Sequence, residues 1–95
     1  MNVYVSIGNT DNKLTQQQWA AFVADVEKTL SVTKQHGAWF SRPDAPWQNA
    51  CWLLEFQSGH VIFEPVKQRL RDLAAFYKQD SIAWAVAETE FLSGG

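Results

Sequence analysis

The sequence predicts an α+β sandwich in the order βαββαβ, with one four-stranded antiparallel sheet and two helices on the same face. Three observations carry that expectation. Residues 15–30 and 65–78 repeat apolar side chains at the i, i+3, i+4, i+7 spacing of amphipathic helices. Residues 2–7, 36–41, 47–56 and 81–88 carry the alternation or short aromatic runs of strands. With 95 residues and no repeat or low-complexity tract, the chain has room for one domain, placed at residues 1–92 with a flexible tail at 93–95.

Val3, Val5 and Ile7 alternate with Asn2, Tyr4 and Ser6, a strand with one buried face that stops at Gly8-Asn9. A helix start follows, in which Thr15 caps the amide three residues on, Gln18 reaches back, and Leu14 and Trp19 stand at the staple positions. Trp19, Phe22, Val23, Val26 and Leu30 then form one apolar stripe. Gly37-Ala38-Trp39-Phe40 is aromatic enough for a second strand, which breaks at Arg42-Pro43-Asp44-Ala45-Pro46. In the third strand Ala50, Trp52, Leu54 and Phe56 share one face, and Cys51, Leu53 and Glu55 the other.

Ser58-Gly59 signals a turn, and His60-Val61-Ile62-Phe63 fits either a short edge strand or the lead-in to the next helix. Pro65 suits a first helical position, and Val66, Leu70, Leu73, Ala74 and Tyr77 give the second stripe, which ends near residues 78–80. The last strand sets Ile82, Trp84 and Val86 against Ala83, Ala85 and Ala87. Right-handed crossovers fold this order into the ferredoxin-like arrangement.

Composition narrows the functions available. Eight Lys and Arg against ten Asp and Glu give a net charge of −2, and the cations are scattered, so no nucleic-acid partner is expected. The third strand also lacks the basic–aromatic pattern by which related sheets stack RNA bases. A lone Cys51 rules out an internal disulfide framework and a multi-cysteine zinc site, and it points to a reducing compartment. The first residues have no basic–apolar leader and no stretch reaches about 18 apolar residues, so no membrane contact is expected and the chain is placed in the cytoplasm.

No catalytic residues, metal or cofactor follow from the spacing. His36 and His60 fall in different loops without an i, i+4 relation and read as solvated side chains. The carboxylates show no convergent pair. Gly8-Asn9 lacks the further glycines and the Lys of a phosphate loop.

Two surfaces stand out. The sheet face away from the helices is expected to display Tyr4, Ser6, Cys51, Leu53, Glu55, Ala83, Ala85 and Ala87, with Trp39 or Phe40. That is more apolar than a solvated face should be. A homodimer packed sheet against sheet would cover it, and a small chain burying only about 60–65% of its unfolded surface gains from such contact. The alternative is a cleft lined by Tyr4, Trp39, Cys51 and Glu55, used by a small dimeric ferredoxin-like enzyme or a small-molecule sensor.

The second surface is residues 39–52. There Trp39, Arg42, Asp44, Trp47, Gln48 and Asn49 could recognise a protein partner, since Trp and Arg anchor binding hot spots. Set against this, a small domain must bury most of its tryptophans, and the polar groups could satisfy a tight loop. The leading expectation is a non-enzymatic interaction module that uses this loop.

Residues 39–52, and again Tyr77-Lys78-Gln79-Asp80-Ser81-Ile82-Ala83-Trp84, resemble short uncharacterised proteins of actinobacteria and their phages. The resemblance covers about a third of the chain. It implies a small accessory role, borne by a phage or mobile element, and assigns no catalytic residue.

Overall fold

A computed structural model describes residues 1–56 and 63–94. The expected turn at Ser58-Gly59 and most of the alternatives for residues 60–63 lie outside the described residues. The elements are β1 (Asn2–Gly8), a short 3₁₀ turn (Thr10–Asn12), α1 (Gln16–Leu30), β2 (Lys34–Phe40), β3 (Asn49–Glu55), α2 (Phe63–Phe76) and β4 (Ala83–Ala87). All four strands form one sheet in the order β2-β3-β1-β4, and every neighbouring pair is antiparallel.

Each helix starts where its backbone can be satisfied. Thr15 Oγ1 accepts from the Gln18 amide at 3.1 Å, and Gln18 Oε1 accepts from the Thr15 amide at 2.8 Å, which completes the expected capping box. Ser31 and Thr33 then close α1, their hydroxyls donating to the carbonyls of Lys28 and Leu30. The second helix begins at Phe63, two residues earlier than expected. Pro65 is still tolerated there, because amides in the first turn have no intrahelical acceptor to lose.

One apolar cluster joins the layers. Val3, Val5 and Ile7 of β1 and Ala50, Trp52 and Leu54 of β3 meet Trp19, Phe22, Val26 and Leu30 of α1 and Val66, Leu70 and Leu73 of α2. Both helices therefore cover the same side of the sheet. Trp52, the largest side chain buried without remainder, packs at the centre and meets Phe40 edge to face at 6.2 Å. Val86 lies on this side by register, opposite Val3, yet is 57% exposed because it sits on the outermost strand.

The third and fourth strands are shorter than their apolar patterns. The third begins at Asn49 rather than residue 47, because Trp47 and Gln48 belong to the loop; the fourth is confined to Ala83–Ala87. The second starts earlier, at Lys34, by admitting a register shift between Gln35 and Gly37 that leaves His36 as an extra residue.

Candidate interaction surface

Antiparallel registers place partners on the same side of a sheet, so the face away from the helices can be laid out in rows. The first row runs Ala83, Ser6, Cys51, Trp39; the second Ala85, Tyr4, Leu53, Gly37; the third Ala87, Asn2, Glu55, Lys34. This gathers Tyr4, Trp39, Cys51, Leu53, Glu55, Ala83 and Ala85 on one face. Of the two aromatic candidates on β2 it is Trp39, not Phe40, that stands there. Leu53 occupies the centre, between Tyr4, which is 37% exposed, and Gly37.

Gly37 has no side chain, and the Trp39 indole takes that place. A methyl added at Gly37 would lie 3.2 Å from Trp39 Cη2, so the ring already rests against the glycine backbone. Covering an edge-strand glycine with an aromatic ring keeps the strand packed where a side chain is missing. Trp39 as a whole is still 53% exposed.

The third row is polar. The bulge turns His36 toward Glu55, and its Nε2 lies 3.2 Å from Glu55 Oε1, with both groups more than a third exposed. The expectation that His36 lies in a loop is thereby corrected: it stands in β2, as the extra residue that alternation does not reveal, and it remains partly solvated. His60 lies outside the described residues. The described residues form no group of three or more His, Cys, Asp or Glu side chains able to hold a metal.

The loop between β2 and β3 adjoins this face. Arg42 and Asp44 form an exposed ion pair at 3.3 Å across a turn closed by the Ala45 amide on the Arg42 carbonyl, and Trp47 is 52% exposed. Gln48 and Asn49 do different work. Gln48 exchanges two amide hydrogen bonds with Gln16 at 2.9 and 3.3 Å. Asn49 donates to the Trp47 carbonyl, while its own amide donates to Ser41 Oγ.

Behind the loop sits a residue that sequence reasoning took only as a turn. Asn9 is 1% exposed; its side chain accepts from the Leu14 amide and donates to the Leu14 carbonyl and to Gln48 Oε1, while its backbone amide donates to the Gln48 carbonyl. One asparagine thus ties the end of β1, the start of α1 and the foot of the hairpin loop together. The available signal was its place next to the end of a strand and six residues before the helix cap Thr15.

On the helix side, an open groove of about 480 Å³ runs between α2 and β4. Its floor is Leu70, Ala74, Ile82 and Trp84, and Lys67 and Arg71 stand on its helix wall. Lys67 Nζ lies 5.2 Å from the centre of the Trp84 ring, within cation–π range. Tyr77 closes the inner end of the core. It stacks on Phe22 at 4.7 Å and donates its hydroxyl to Asp25, and burial together with that carboxylate pushes its pKa up to about 12.

No protein-family model and no curated protein matches this chain.

Proposed function

We propose that the chain is a non-enzymatic protein-interaction module of ferredoxin-like topology, which meets a partner protein through its open sheet face and the adjoining tryptophan loop. The topology is supported by the strand order, with β1 and β3 central and each followed by a helix that crosses to an outer strand. The observation that carries the function is the row built on Leu53. An aliphatic centre flanked by a half-exposed Trp39 and by Tyr4, and bordered by Asn2, Ser6 and the His36–Glu55 pair, has the apolar core and polar rim of a protein contact. It fits a partner with an apolar patch edged by hydrogen-bonding groups.

Trp47 and Arg42 extend the surface because nothing in the hairpin needs their side chains inward, whereas Gln48 and Asn49 hold the loop in shape. Capture of binding proteins on immobilised chain tests the assignment. Trp39→Ala, Leu53→Glu and the pair Arg42→Ala with Trp47→Ala should each lose the captured protein while the unfolding midpoint is kept. Capture unchanged in all three would overturn it.

A further inference from the structure

We infer that the outer edge of β4 pairs antiparallel with β4 of a second copy, so that Glu88 and Glu90 of each copy lie in the groove beside Lys67 and Arg71 of the other. This concerns a different surface from the open face and stands whatever binds there.

The two edges of the sheet are treated differently. The β2 edge carries Lys34 and the bulge at His36, both of which discourage further pairing. The β4 edge, Ala83-Trp84-Ala85-Val86-Ala87, has no charge, proline or bulge, and among the described residues no strand pairs with its outer side. An uncharged edge of this kind is a template for another strand.

Parity says which side chains would enter the groove. Trp84 and Val86 lie opposite Val5 and Val3, so the even-numbered residues of β4 face the helices, and an extended continuation adds Glu88 and Glu90 to that side. Thr89, on the other side, accepts a hydrogen bond from Asn2 at 3.1 Å, which is consistent with this alternation.

Charge then selects the register. With the two-fold axis at Val86, that residue faces its own copy, Glu88 of one copy comes opposite Trp84 of the other, and Glu90 opposite Ile82. Lys67 stands over Trp84, and Arg71 follows one helical turn on. Along a helix four residues rise about 6 Å, and along a strand two residues rise about 6.6 Å, so the two carboxylates match the two cations in spacing. Moving the axis to Ala85 would set Glu90 against Asp80 at the far end of the groove, like charge against like.

The contact is isologous: both grooves fill at once, Val86 is covered by itself, and the two sheets join into one of eight strands with both open faces on the same side.

Sedimentation equilibrium tests this by charge exchange. Wild type should dimerise, and Lys67→Glu with Arg71→Glu should weaken association about tenfold or more, as should Glu88→Lys with Glu90→Lys. All four changes together should restore it, an outcome that loss of folding could not produce. As a second readout, Val86→Cys in a Cys51→Ser background should oxidise to a covalent dimer, whereas Val32→Cys in the same background should not. A monomer at about 100 µM, or a dimer indifferent to all four charges and dissolved by Leu53→Glu, would overturn the inference.

Discussion

Burying an amide is costly unless its donors and acceptors are met, and Asn9 meets them at Leu14 and Gln48. Replacing it with alanine strands the Leu14 amide and carbonyl and removes one bond to Gln48 Oε1. Asn9→Ala should therefore lose about 2–4 kcal/mol in denaturant unfolding, far more than the same change at the exposed Gln17. Tyr77 makes a pH-dependent contribution. Its proton is held more tightly in the folded chain, so its stabilisation is complete below the ordinary phenol pKa of about 10 and is lost as pH rises through about 12. Stability measured across that window should fall more steeply in wild type than in Tyr77→Phe. At this scale the sequence revealed which residues are buried, because alternation and helical spacing assign faces directly. It could not distinguish Trp39 from Phe40, since neighbouring aromatics occupy opposite faces and only the register with Cys51 decides between them.

Both helix ends illustrate what local chemistry makes legible. The capping box at Thr15 and Gln18 is written in residue types, and Thr15→Ala should cost about 1 kcal/mol. The end of α2 is equally ordered but carries no such mark. The Lys78 amide donates to the Ala75 carbonyl and the Gln79 amide to the Ala74 carbonyl, a Schellman motif whose left-handed position, φ 55°, is held by lysine where glycine is usual. Lys78→Gly should raise stability by about 0.5–1 kcal/mol in thermal or denaturant unfolding, because the left-handed conformation costs glycine nothing. The bulge in β2 was hidden for a related reason: a one-residue insertion in a seven-residue strand leaves no periodicity long enough to expose it.

For the whole molecule, one four-stranded antiparallel sheet with two helices was readable from the order of elements, a hairpin between β2 and β3 and two helical crossovers. What was not readable is the difference between the edges. Glu88 and Glu90 follow the last strand with no sequence signal that gives them a partner, and the edge pairing inferred above sets them beside the groove of a second copy. The open face, by contrast, was legible from Cys51, Leu53 and Glu55 alternating with a buried set. Leu53 is its centre, and a photoreactive benzoylphenylalanine placed there in the producing cell asks most directly whether this face is a contact surface. A cross-link to another protein from position 53, and none from the exposed outer position Arg69 on α2, is the predicted result. No adduct from position 53, or the same adduct from both positions, would contradict the account.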